Sequence, residues 1–386
     1  MSWLLLLWIA LSNNAFGLSL PAIGWIHLVA LGWFTMTALS VLLFAIPQMA
    51  DQPWRFETAA RAALGWFAFG VVLFVLALFA ATRLIGAAAG LTYAALIVYL
   101  LTAWTTLVGR RAAERAERAI ARAFFVTLSL LAVVATLGLV LALSLSGIGF
   151  GSWSARLAAA HGNLALFGWL SLLVYGVSTR TIRPITGVKP STLAHVVVGS
   201  ATLLGAVVLA GALVAGNAAA TWTGGALLGL GAIVYGADMT RSLARATVRH
   251  RPPQAFVAAS IAWLFVALLA GTSALAGHAT ANAYGFVMLA GWIGQMVNAH
   301  MFHIGVRVIA TVYRGQDDET PPEALLDERF EWAAFGCFQA AVALVAIGLW
   351  KTSAPLVVSG ACFGVAGWGG LIAALGLARS RAMDTP

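Results

Sequence analysis

Eleven long apolar runs follow one another along this chain, parted by short connections that carry most of its charge. They lie at about 22–48, 56–82, 84–108, 120–146, 154–180, 192–215, 219–239, 254–276, 278–312, 328–350 and 354–378, after an apolar stub at about 3–19. A bilayer span needs about 20 apolar residues, so each run is long enough to cross. None alternates with period two as a barrel strand does, which leaves helices as the way to satisfy backbone hydrogen bonds in lipid. Only 9% of residues are charged and 61% are hydrophobic, where a soluble domain carries about 25% charged residues. The expected fold is an all-α polytopic membrane protein of about twelve transmembrane helices, a single transmembrane domain over 1–386.

The basic residues set the expected orientation. Arg55 follows the second span, and Arg110, Arg111, Arg115, Arg118 and Arg122 follow the fourth. Arg180, Arg183 and Lys189 follow the sixth, and Arg241, Arg245, Arg249 and Arg251 the eighth. Arg307 and Arg314 surround the end of the tenth, and Arg379 and Arg381 follow the twelfth. The alternate connections are nearly bare, with Arg83 and Lys351 as single exceptions. By the positive-inside rule the even spans end in the cytoplasm and both termini are cytoplasmic. The net charge of +9 is thereby explained by topology, without nucleic acid. The stub, with Asn13 and Asn14, lacks a basic leader and a small-residue cleavage site, so it reads as a short or broken helix rather than a signal peptide. Cys337 and Cys362 form no CxxC and no Cys/His pair, which argues against a thiolate metal site. The acidic stretch Asp317, Asp318, Glu319 reads as a short soluble connection.

Three spans share a signature. The second has His27, then Gly32-Trp33 and Pro47; the sixth has His161, then Gly168-Trp169 and Pro184. The tenth has His278, then Gly285-Phe286, with His300 where the others have proline. Spans two, six and ten imply a period of four helices and three pseudo-repeats at about 1–119, 120–253 and 254–386. All three spans run the same way, so their first histidines are expected at one level, near the outer third of the bilayer. A rise of about 1.5 Å per residue puts His300 and His303 roughly 33–37 Å deeper than His278. His195 opens the seventh span and joins that deeper level.

Twelve helices in three arcs, with histidines on helices two, six and ten, resemble subunit I of the haem–copper oxygen and nitric-oxide reductases. The stretches HGNLALFGWLSLLVYG at 161–176 and GWIGQMVNAHMFHI at 291–304 look most like short, stand-alone relatives of that subunit. The resemblance implies a haem b with His27 and His278 as axial ligands and Arg156 beside a propionate. Departures from the pattern are plain. The seventh span lacks a His–His pair for copper, and no Lys or carboxylate sits mid-span. No complete haem–copper catalytic centre is expected.

A neutral imidazole ligates haem iron, copper or zinc, whereas a lone histidine in a span often only bonds a neighbouring helix. Polar residues inside spans are costly and tend to mark function. Three at equivalent positions favour ligation, either as the haem pair or as a copper or zinc site on His27, His161 and His278. A second, weaker set is His195, His300 and His303, which also fits plain anchoring beside Arg307. The reading is an electron-transfer or NO/O2-binding membrane protein, an oxidoreductase if it is an enzyme, with the bilayer and a redox partner or quinone as partners. The alternative is a small-molecule transporter, for which the mid-span charges of an ionic substrate site are missing.

Overall fold

The computed structural model describes residues 2–12, 19–108, 115–148, 153–278, 281–314 and 321–383. Asn13, Asn14, Arg110, Arg111, Asp317, Asp318 and Glu319 lie outside these residues. Every long regular element among the described residues is a helix. In chain order they are α1 (Ser2–Leu11), α2 (residues 20–50), α3 (Glu57–Ala80), α4 (Ile85–Val108), α5 (Arg115–Leu145) and α6 (residues 153–186). Then come α7 (Thr192–Ala215), α8 (Ala218–Ala244), α9 (Arg251–Leu275), α10 (residues 281–314), α11 (Glu328–Lys351) and α12 (Ala354–Met383). Ten of these segments are long and apolar enough to cross a membrane, so the chain is an integral membrane protein of the helical type. α1 has only 10 residues. α10 is long but too polar for that count, because Asn282, Gln295, Asn298, His300 and His303 interrupt it.

α2, α6 and α10 share a defect in the helix ladder. Each contains a π-helical stretch, at Leu28–Thr35, Leu164–Ser171 and Val287–Ile293. A π turn inserts one extra residue and rotates the helix face that follows. The first residue beyond each stretch donates its amide five residues back: Met36 to Leu31, Leu172 to Phe167 and Gly294 to Leu289. A widened turn leaves carbonyls short of partners, and side chains answer. Ser171 Oγ donates to the Leu166 carbonyl at 2.8 Å, and Gln295 Nε2 reaches the Ala290 carbonyl at 3.5 Å. Gln295 in turn accepts from Gln339, which accepts from the Trp263 indole, at 2.9 and 2.8 Å.

These stretches give a register that differs from the one expected. Gly32-Trp33, Gly168-Trp169 and Gly291-Trp292 each occupy the fifth and sixth positions of their π stretch. The equivalent of Gly32 is therefore Gly291, not Gly285, and Gly285 faces open space. His27 stands directly before its stretch and His161 three residues before its own, while the corresponding places in α10 hold Phe286 and Tyr284. His278 is no repeat partner of either.

The contacts group the chain into two units. One comprises Leu20–Gly176 and Val196–Gly231, the other Met1–Ser19, Val177–His195 and Ala232–Pro386. In lipid, helices gain little from burying apolar surface against one another, so small residues that allow close approach decide packing. In the first unit α7 and α8 meet in this way. A Cβ on Gly224 would stand 2.6 Å from the Leu209 amide nitrogen, and one on Gly205 would stand 2.9 Å from that of Leu228. In the second unit Gly348 and Gly360 let α11 and α12 approach, each with backbone nitrogen 2.9 Å from its would-be Cβ. Gly364 on α12 leaves the space that the Trp3 ring fills, which explains why the short α1 is held although it is too short to span.

Gly224→Ala must force two backbones apart, and we expect it to cost about 1–3 kcal/mol. Gly229→Ala on the same helix meets nothing within 4 Å and should gain about 0.5–1 kcal/mol from helix propensity. Thermal unfolding of the two variants in detergent checks the pair; similar midpoints would contradict the packing.

Candidate functional site

Within the first unit α2 and α6 bring two imidazoles together. The His27 and His161 ring centroids are 6.2 Å apart with 14° between their planes. Each ring is tethered by one nitrogen. His27 Nδ1 lies 2.8 Å from the Ile23 carbonyl of its own helix, and His161 Nδ1 lies 3.0 Å from the Val134 carbonyl of α5. A carbonyl only accepts, so both Nδ1 atoms carry the proton and both Nε2 atoms present a lone pair. No protein group takes either lone pair among the described residues. Phe74 packs edge-on against His27 at 5.3 Å. Gly138 makes room for His161, since a Cβ there would stand 3.1 Å from Cε1.

A metal-binding histidine almost always donates its other N–H to a carbonyl or carboxylate, which fixes ring and tautomer. Both rings meet that requirement. Metal–imidazole bonds of ~2.0–2.1 Å set two ring centroids roughly 6 Å apart when the rings lie on opposite sides of the ion. The donor set and the spacing therefore fit one ion held by two imidazoles. Among the described residues no three His, Cys, Asp or Glu side chains are gathered to hold a metal, which leaves His27 and His161 as a pair.

His278 is placed differently from expectation. It lies exposed in the turn after α9 rather than inside a span. Gly277 adopts φ +90, and the His278 amide reaches back to the Ser273 carbonyl at 3.1 Å. This is the left-handed closure that ends many helices, so His278 begins no helix and belongs to the second unit, apart from His27 and His161 in sequence grouping. Arg156 is exposed near the start of α6. Its guanidinium lies over Trp153 at 5.9 Å and against Gly216 at the end of α7, where a cation suits the helix C-terminus.

The second expected set is in the second unit, and its lone pairs are mostly spoken for. His300 Nδ1 donates to the Met296 carbonyl at 2.7 Å, and its Nε2 shares a hydrogen bond of 2.6 Å with the Thr181 hydroxyl, which also lies 3.1 Å from the Val177 carbonyl. Arg307 Nε donates to His303 Nε2 at 3.1 Å and its terminal nitrogen pairs with Glu323 at 2.7 Å. His195 Nδ1 bonds the Ser191 carbonyl at 2.9 Å and sits 3.8 Å from Asp238, while its buried Nε2 finds no partner. Asp238 also accepts from the Ser191 amide at 3.0 Å and from Arg241 at 2.8 Å.

Several groups that matter here carry no motif. Gly138 and the Val134 carbonyl lie on α5, which the histidine pattern does not touch. A lone glycine in an apolar run is the one sign they leave. Trp169 donates its indole N–H to Thr35 Oγ1 at 3.0 Å, tying the two π stretches of this unit together; the repeated Gly-Trp pair was the legible sign. His250, which has no sequence role beyond its basic turn, is buried and bonds both carboxylate oxygens of fully buried Glu331 at 3.0 and 2.9 Å. Compared with family models and with curated proteins, the sequence matches none.

Removing one member of a buried hydrogen-bonded pair strands the other. We expect His250→Ala to cost ~1–3 kcal/mol and to reduce yield in detergent. The double variant His250→Leu/Glu331→Leu should recover most of that loss. A double variant as unstable as the single would show that the pair itself is not what is at stake.

Proposed function

We propose that this chain is a membrane-embedded redox protein that holds one metal cofactor between His27 and His161, a haem iron with both axial positions filled by imidazole. The observation that carries this reading is the pair of tethered, near-parallel rings with unclaimed Nε2 lone pairs. The resemblance to subunit I of the haem–copper reductases supports the choice of haem, with α6 in place of α10 as the second ligand helix. A haem held by these two residues would supply one-electron transfer rather than binding of NO or O2. The residues of the chain do the rest. The Ile23 and Val134 carbonyls fix both tautomers. Phe74 and Gly138 set where the rings stand. Arg156 offers an exposed positive charge to an acidic cofactor edge on the same unit.

A single copper ion on the same two nitrogens is the second reading. The same two tethered imidazoles would hold it at the same ring spacing. The small-molecule transporter reading falls behind because the spans lack the mid-span charges of an ionic substrate site. The arginine pattern further supports a bacterial inner-membrane location with both termini in the cytoplasm, and a membrane redox partner or quinone as the electron source.

The test is metal analysis with an optical spectrum of the purified protein. We expect one iron per chain and a reduced spectrum with sharp low-spin α and β bands. His27→Ala and His161→Ala should each abolish or convert it, Gly138→Leu should disturb it, and His278→Ala and His300→Ala should leave it intact. One copper and no iron selects the second reading; no metal at all refutes both. Orientation is tested separately by labelling a cysteine placed at position 249, which should be protected from reagents added outside.

A further inference from the structure

In the second unit the turn between α6 and α7 and the turn between α8 and α9 are laced together. The Thr247 amide donates to the Thr186 carbonyl at 2.8 Å, and the Gln254 side chain bridges the carbonyls of Ile185 and Val248 at 3.1 and 2.8 Å. Gly187, at φ +78, lies directly against the Thr247 hydroxyl. The result is one rigid edge built from two connections. His250 pins it from below. Its backbone is extended, at φ −69 and ψ 100, which turns its side chain inward to Glu331 and leaves its neighbours Arg249 and Arg251 pointing outward and exposed.

That edge is crowded with cations. Arg180, Arg183, Lys189, Arg245, Arg249 and Arg251 are all exposed. Between residues 177 and 253 the sequence holds a single acid, Asp238. It is buried and committed to Arg241, the Ser191 amide and His195. None of the six has an acidic partner among the described residues, and Arg251 bonds the uncharged Gln254 instead. Some cations at other helix ends do have acids beside them. Arg61 pairs with Glu57, Arg307 with Glu323, and Arg381 with Asp327. A bias that only oriented the chain would not require its acids to be missing from one edge.

We infer that this edge binds the phosphate headgroups of anionic phospholipids. The cations stand at the ends of membrane-spanning helices, the level at which headgroups lie. The helices that run into these two turns carry exposed apolar side chains, Leu193 on α7 at 74% and Ile233 on α8 at 58% exposure, where acyl chains would lie. A soluble polyanion would meet the charges but gain nothing from those apolar neighbours. Juxtamembrane cations are each drawn to an anionic surface, and interlaced turns hold several of them at fixed spacing, so little ordering is left to be done on binding.

The experiment titrates purified full-length protein with phosphatidylglycerol and with phosphatidylcholine, and counts retained lipid by native mass spectrometry. We expect phosphatidylglycerol to be retained at concentrations on the order of tenfold lower or less, with the preference shrinking as salt rises. Arg183→Gln/Lys189→Gln/Arg245→Gln/Arg249→Gln should abolish the preference. A variant with four cations removed elsewhere, at Arg55, Arg83, Arg122 and Lys351, should keep it. Equal retention of the two lipids by the native protein overturns the inference, as does equal loss in the two variants. Should the first variant fail to insert, competition on the native protein decides. Retention that survives millimolar inorganic phosphate supports a lipid site. Displacement by phosphate alone, or by a soluble acidic peptide, assigns the edge to that ligand and overturns the lipid reading.

Discussion

Lipid donates and accepts no hydrogen bonds, and the architecture of this chain follows from that. Every backbone amide and carbonyl inside a span must be answered by the chain itself. A regular α-helix does so without help, and most of the spans are regular. α2, α6 and α10 are not, and in α6 and α10 side chains answer carbonyls of the π stretch. Ser171 and Gln295 return to carbonyls five residues back, and Thr35 and Trp169 bond one another across two such stretches. What the irregularity supplies is rotation. An inserted residue turns the helix face, so residues before and after the stretch point differently from those of a straight helix.

The same rule sorts the histidines. An imidazole in a span must place two nitrogens, and what each nitrogen meets separates scaffold from site. His300 uses one on its own helix and one on Thr181; His303 accepts a hydrogen bond from Arg307; His250 clasps Glu331. These three tie elements together. His27 and His161 each tether one nitrogen to a carbonyl and leave the other unclaimed, as His195 does, but these two also stand ring to ring, with centroids 6.2 Å apart. Two histidines brought together by different helices, each with its tautomer fixed by a carbonyl, are the physical ground for reading this pair as ligands.

The helices were legible because lipid imposes length and apolarity on every span, and each run read from the sequence corresponds to a helix over the described residues. The shortness of α1 was likewise visible in the early Asn13, whereas the tenth run was expected to be an apolar span and proves too polar, with Gln295, Asn298, His300 and His303 in it. The special status of helices two, six and ten was legible too, through His27, His161 and the glycines. The register was not. Spacing from His278 selected Gly285-Phe286, whereas the ladder defect brackets Gly291-Trp292. Local sequence does not reveal which turn of a helix widens, because the energy difference lies in tertiary partners such as Gln339 and Trp263. The loss of His278 has a more local cause, a positive-φ closure at Gly277 that ends α9 before the histidine. The tether of His161 was beyond reach for another reason: a backbone carbonyl on α5 is the same in every sequence, and only Gly138 marks the place.

The central claim is that one metal takes one nitrogen from His27 and one from His161. Electron paramagnetic resonance of the oxidised protein, with histidine labelled by 15N, reads those nitrogens directly. The account predicts a metal signal carrying two imidazole couplings, reduced to one in His161→Ala and in His27→Ala and unchanged in His278→Ala. A signal whose couplings survive both single substitutions, or that loses one in His278→Ala, would contradict it.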